Sequence, residues 1–192
     1  MNSPYMRRFR VTQEFKKSHT GLDLVGVDSK EIHVVVAGEV IKAGWENSNN
    51  HAQGFGQYVK VRATNGDVWY YGHLSKILTT VGQKVAVTDV IGIEGSTGNS
   101  TGSHLHIECR HNGDRAQAKD VSKLLGIPNT IGTYTDGYAE RTETQAKTAS
   151  EIETVAKEVI AGKWGNGSVR KQKLAEAGYN YAEVQKKVNE IL

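Results

Sequence analysis

The chain of 192 residues contains a single cysteine, Cys109. No internal disulfide can form, which excludes a small stapled scaffold and fits folding in a reducing compartment. No apolar run approaches the length that a membrane span needs, so none is expected. Behind the charges of "MNSPYMRRFRVTQEF" stands neither an apolar block nor a small-residue cleavage site, so a classical export signal is not expected either. Strong charge of one sign is also missing. With 24 basic and 21 acidic residues the formal charge is +3, an excess compatible with an anionic polymer but not one that calls for nucleic acid. What is present is a globular composition, 38% hydrophobic, enough for one sizeable core or for a medium core and a small satellite domain.

From about residue 10 to residue 114 short alternating runs are punctuated by glycine: "IHVVVAGEVIKAG", "GQYVKVRATNGDVWYYGHL", "KVAVTDVIGIEG" and "SHLHIECR". Period-two alternation predicts a mostly antiparallel β domain. Asn65-Gly66 predicts a hairpin with a type I′ turn. Gly82 and Gly92 read as tight turns, and the Asn- and Gly-rich residues 43–56 read as a surface loop beside a cleft. "DVSKLLGIPN" reads as a closing helical turn stopped by Pro128.

The polar, Thr-rich residues 130–149 show no period and read as a linker. After it, Ser150 and Glu153 have the spacing of a capping box. Ile152, Val155, Ala156, Val159 and Ile160 form a helical stripe, and Gly162 stands at the C′ position. A second helix is expected over about Ser168–Ala177, stopped by Gly178. A third begins at Asn180 and carries Val184, Val188 and Ile191. The expected layout is therefore multidomain: a β domain over 1–129, a linker over 130–149 and a small all-α three-helix bundle over 150–192.

Four stretches carry chemistry. In "GSHLHIECR" the side chains of His104 and His106 leave one face of a strand, a geometry that suits a metal ion and also suits an ordinary solvated strand. His19 and Asp23 in "HTGLDLVG" are both common zinc ligand types. His73 closes a strand in "YYGHLS", and "GIEGSTGNSTGSHLH" is a loop whose backbone allows close approach of a substrate. Glu108 has the parity of the two histidines and is either an outer partner or a solvated charge. Cys109 faces the other way and reads as a small buried residue. His33, His51 and His111 read as structural or solvated, and Tyr70 and Tyr71 as sheet packing.

Taken together, these motifs resemble the lysostaphin/LytM-type zinc metallopeptidases of family M23: H-x-x-x-D as His19 and Asp23, the lone histidine before leucine as His73, and H-x-H as His104 and His106. The resemblance implies a LytM-like β-sandwich with a groove, one zinc ion held by His19, Asp23 and His106, and catalytic roles for His104 and His73. Spacing alone does not choose between His104 and His106 as the ligand. In the implied chemistry His104 is the general base and His73 donates to the oxyanion. Two features depart from the family pattern: "VTDVIG" replaces the usual glycine turn, and the 43–56 loop is long.

The stretch "VAKEVIAGKWGNGSVRKQKLAEAGYNYAEVQKKVNEIL" resembles a second family, the Cpl-7-type cell-wall-binding repeat. That resemblance implies peptidoglycan binding, with Trp164 stacking on a sugar or packing in the core, and Arg170 pairing with a carboxylate. The combination resembles a bacteriophage endolysin. It is expected to reside in the host cytoplasm until released to the wall, with phage-tail association or another export route as the alternative. A catalytically inactive relative that only binds or regulates is the alternative function. The bond cleaved and the oligomeric state are not set by the sequence.

Overall fold

A computed structural model describes residues 2–136, 149–177, 179 and 181–192. The chain divides into two compact units, residues 1–139 and 140–192. Among the described residues no helix is long and apolar enough to cross a membrane.

In order, the first unit contains β1 (Arg8–Gln13), β2 (Leu22–Gly26), β3 (Glu31–His33), β4 (Gly38–Trp45), β5 (Gln57–Ala63) and β6 (Asp67–Gly72). Then come β7 (Lys76–Ile77), β8 (Lys84–Val85), β9 (Val90–Ile93), β10 (Leu105–His111), a 3-10 turn (Arg115–Gln117), β11 (Ala118–Lys119), α1 (Val121–Leu125) and β12 (Gly132–Thr135). One antiparallel sheet runs β12-β1-β2-β10-β6-β5-β4-β8, with β11 on β10, and a small sheet runs β3-β9-β7. Alternation in the sequence becomes two faces of the large sheet. Leu22, Ile107, Tyr71 and Val59 lie in one cross-strand row and are buried in the core with Ile32, Leu74 and Ile91. The adjacent row, Asp23, His106 and Gly72, faces the opposite side. A single register therefore decides both the core and the site.

Several details differ from expectation. The β5–β6 hairpin forms, but only Gly66 of the Asn-Gly pair has positive φ, at 85°, and its N–H reaches Ala63 O at 3.2 Å. This is a three-residue loop closed by a left-handed glycine, because the turn starts one residue earlier than the type I′ form requires. Gly92 sits inside β9 rather than in a turn; a Cβ there would lie 2.8 Å from Lys76 O. Residues 43–45 belong to β4, so the long loop spans 46–56. Four residues of the expected linker form a strand instead, because β12 pairs with β1 from Arg8↔Thr135 to Val11↔Gly132. An edge strand of Gly, Thr and Tyr buries no alternating apolar face, which is why it read as linker. The rest of that stretch, residues 137–148, lies outside the described residues.

The second unit contains α2 (Ala149–Ile160), α3 (Gly167–Glu176) and α4 (Tyr181–Ile191). Val155, Ala156 and Val159 of α2, Leu174 of α3, and Val184 and Val188 of α4 form its core, with Trp164 and Tyr179 packed against it. Gly162 ends α2 as expected: φ is 78°, its N–H bonds Val159 O at 3.0 Å, and the Lys163 N–H bonds Glu158 O at 3.1 Å. Ser150 lies one residue inside α2 rather than at its N-cap, and its carbonyl accepts the Thr154 hydroxyl. The expected stop at Gly178 and start at Asn180 lie outside the described residues.

Candidate metal centre and cleft

The register pair His106↔Asp23 brings β10 beside β2, and the turn before β2 supplies His19. His106 Nδ1 lies 2.8 Å from Asp23 Oδ1, His19 Nε2 lies 3.2 Å from the same oxygen, and the two ring nitrogens are 3.2 Å apart. Donors about 2.0–2.1 Å from one tetrahedral ion lie roughly 3.3 Å from one another, so the triangle fits a single ion. Gly21 makes the approach possible: a Cβ there would stand 2.6 Å from His106 Nε2.

The outer partners fix the polarity of the two rings. His19 Nδ1 lies 2.9 Å from Glu14 O, so its N–H points outward and the Nε2 lone pair faces the triangle. On His106, Nε2 lies 3.5 Å from Glu108 Oε2, which leaves Nδ1 facing inward. With the ring protons turned outward, two lone pairs and a carboxylate oxygen converge, an arrangement that calls for a cation: a metal ion, or else a proton shared with Asp23. For Asp23, burial, which would raise its pKa, is outweighed by hydrogen bonds to His106 and His19, and the carboxyl is held well below the usual range. For His106 the lowering effect of burial is outweighed by Asp23 and Glu108, and its pKa is raised.

Glu108 is 1% exposed and chelated by Arg110, with Nε–Oε1 at 2.8 Å and Nη2–Oε2 at 2.9 Å. Burial raises its pKa, but His106, Arg110 and Thr20 together bring it down to about 2. Of the two sequence readings of Glu108, burial selects the outer partner. Cys109, on the other face, is fully buried in the core, as its parity requires.

His104 and His73 stand beside the triangle without joining it. His104 Nε2 is 3.7 Å from Asp23 Oδ2, and its Nδ1 lies 2.8 Å from Gly102 O. The N–H is thus committed to Gly102, and Nε2 offers a lone pair to the cleft. Directly after β6, His73 turns to φ 62°, a left-handed conformation uncommon outside glycine, and its ring centre comes within 4.6 Å of that of His104. Its Nδ1 lies 2.7 Å from Thr97 O, and burial lowers its pKa to about 4. A neutral ring with that tautomer presents an acceptor at Nε2. The oxyanion donation expected of His73 needs a proton at that nitrogen.

All five residues line one cleft of about 620 Å³, walled by Glu46, Gly54 and Phe55 from the 46–56 loop and by Asn99, Ser100 and Thr101 from the Gly-rich loop. The two loops dock through backbone: Gly98 N–His51 O at 3.0 Å and Asn99 N–Gly54 O at 2.9 Å. Arg110 and Arg115 also line the cleft. The sequence did not single out these two arginines, although the parity of Arg110 with His106 was visible. His33, His51 and His111 stay out of the cleft; His51 stacks on Trp45 at 3.6 Å and His111 pairs with Asp67 at 3.0 Å. Tyr71 is in the core, and Tyr70 lies beneath Arg110 at 4.4 Å on the cleft side of the sheet.

In the second unit, Trp164 is half-buried. Its Nε1–H donates to Glu158 at 3.0 Å, and it lines a cavity of about 290 Å³ with Tyr179 and Glu151. It both packs and faces a cavity, so the two sequence readings are not exclusive. Arg170 is engaged by its own unit, bonding Gly165 O at 2.9 Å, Asn166 Oδ1 at 3.0 Å and Gln185 Oε1 at 3.3 Å.

Comparison with known proteins agrees with this geometry. Residues 17–118 match peptidase family M23, and residues 153–192 match the CW_7 repeat. The DD-carboxypeptidase/endopeptidase Mpg of Neisseria meningitidis serogroup B is 34% identical over 128 residues, covering 67% of this chain and 28% of its own length. The glycyl-glycine endopeptidase ALE-1 of Staphylococcus capitis is 33% identical over 129 residues, covering 63% of this chain and 34% of its own. The chain thus spans about a third or less of the length of these curated relatives. The catalytic domain of lysostaphin from Staphylococcus simulans superimposes with a TM-score of 0.52 and 27% identity, over 62% of this chain and 91% of that one.

Proposed function

The chain belongs to peptidase family M23 and carries a CW_7 repeat, and on that premise we propose that it is a zinc-dependent endopeptidase that cleaves peptide cross-links or cross-bridges of bacterial peptidoglycan. The observation that carries this reading is the triangle of His19 Nε2, Asp23 Oδ1 and His106 Nδ1, with two further imidazole lone pairs beside it. Three protein donors leave one tetrahedral position open, as catalytic rather than structural zinc sites do. One ion, when bound, supplies a water acidic near neutral pH and polarises a peptide carbonyl.

The chain's own residues do the rest. His104, whose ring is oriented by the Nδ1 contact with Gly102 O, takes the proton of the attacking water at Nε2 and passes it to the leaving amine. His73 Nε2 accepts a hydrogen bond from the same water and orients it. The loops over residues 46–56 and 95–103 hold an extended peptide against the β2–β10 strand pair.

In the proposed layout the second unit is a three-helix wall-binding domain joined by a tether. It keeps the peptidase at high effective concentration near an insoluble substrate. A lytic, endolysin-like role outside the cytoplasm follows from pairing a wall hydrolase with a wall binder. All five motif residues meet in one cleft, which favours an active enzyme over an inactive relative.

The test measures metal content and new amino groups released from purified walls. Wild type is expected to carry one zinc per chain and release amino groups until chelated. His104→Ala is expected to keep the metal and lose the rate by at least about a hundredfold. Full rate in that variant, or in the chelated wild type, would falsify the mechanism.

A further inference from the structure

The cleft holds one cation that the metal centre does not use. Along β10, His106, Glu108 and Arg110 share one face, so Arg110 starts about 13 Å from His106 at roughly 3.3 Å per residue. Its guanidinium lies over Tyr70 at 4.4 Å and Phe55 at 5.6 Å. Lys60 approaches the ring of Tyr70 at 4.7 Å, and Lys42 that of Tyr58 at 5.9 Å. Arg115, in the 3-10 turn just beyond, is exposed and lines the same cleft. Among the described residues no hydrogen bond or ion pair engages the Arg115 side chain. The adjacent Asp114 is turned to the Ala116 N–H at 2.9 Å and to Gln117 at 3.1 Å.

Two cations, Arg110 and Arg115, line the cleft with three carboxylates, of which Asp23 belongs to the metal centre. Glu108 is consumed by Arg110 and His106, and Glu46 is tied to the Phe55 N–H. Outside the cleft lining, burial first and then Arg110 lower the pKa of Lys60. The Arg115 guanidinium is left unanswered, and a neutral peptide would not meet it. A substrate carboxylate lying in the cleft would meet it.

We propose that Arg115 receives a free carboxylate of the substrate, so that the cleft prefers carboxylate-bearing stem peptides over neutral oligoglycine bridges. The proposal rests on the peptidase reading above and names its substrate class. Its test uses the full zinc-loaded chain on purified walls before and after carbodiimide amidation of their carboxyl groups. Wild type is expected to show a KM about tenfold lower on native walls, with kcat little changed. In Arg115→Gln the native-to-amidated ratio is expected to collapse to within about twofold.

Calorimetric titration of wild type and Arg115→Gln with a soluble acidic peptide and with its amide reads the same preference without turnover. Equal KM for both walls in wild type, or an unaltered ratio in the variant, overturns the carboxylate receptor while leaving the peptidase reading intact. Hydrolysis of neither wall overturns the peptidase reading, and equal titration of the two peptides then overturns the receptor as well.

Discussion

Ser103 Oγ donates to Glu94 Oε1 across 2.6 Å, tying the residue before His104 to the residue before the Gly-rich loop. The same side chain, with none of its surface exposed, accepts the Gly26 N–H at 2.8 Å, Lys30 Nζ at 2.8 Å and the Tyr5 hydroxyl. Gly26 ends β2, the strand of Asp23, so one buried carboxylate sets the proposed base against the proposed ligand. Glu94→Gln is expected to cost about 2–4 kcal/mol in urea unfolding, because buried donors lose a charged acceptor. Ser103→Ala, with metal content retained, is expected to cost about 1 kcal/mol and to lower kcat several-fold. An unaltered kcat in Ser103→Ala would mean that the bond does not position His104.

Glu108 holds the ring of His106 from behind, as carboxylates outside a metal centre commonly do. Glu108→Gln is expected to weaken zinc affinity by about 10- to 100-fold, read by competition with a chelating indicator. Retention of full affinity would reduce Glu108 to a partner of Arg110 alone.

Gly98 has φ 77°, and a Cβ there would lie 2.3 Å from Gly56 N and 2.5 Å from Gly54 O. Gly98→Ala is therefore expected to separate the two loops that wall the cleft. The expected result is a fall of about tenfold or more in kcat/KM, with Tm lowered by only about 2–6 °C. A variant that loses stability but keeps its kcat/KM would show that loop docking is structural only.

Asp67, remote from the cleft, accepts Lys119 Nζ at 2.7 and 2.8 Å and Asn65 Nδ2 at 3.0 Å, and pairs with His111. Burial would raise its pKa, but Lys119, His111 and Asn65 outweigh it and the carboxyl titrates below its ordinary value. A depressed folded pKa contributes stability above the unfolded value, about 3.9, and that stability is lost as pH falls through the folded one. Asp67→Asn is expected to be less stable than wild type by about 1–2 kcal/mol at pH 7, with the gap closing below about pH 4. A gap of equal size at pH 3 would locate the loss elsewhere.

The sequence by itself determined the donor types, the two faces of each strand and the helix stripe ending at Gly162, because these depend on period and on local backbone preference. It could not choose between His104 and His106. Both point the same way, and only the pairing of His106 with Asp23 seats one of them against His19. It left Glu108 open between solvent and outer partner until burial decided. It read Gly132–Thr135 as linker because an edge strand takes its hydrogen bonds from Arg8–Val11, far away in the chain. Nor could it orient the ring of His73, since the Nδ1 partner, Thr97 O, lies 24 residues away. Periodicity is written into neighbours along the chain, whereas register, burial and tautomer depend on partners that only folding brings within reach.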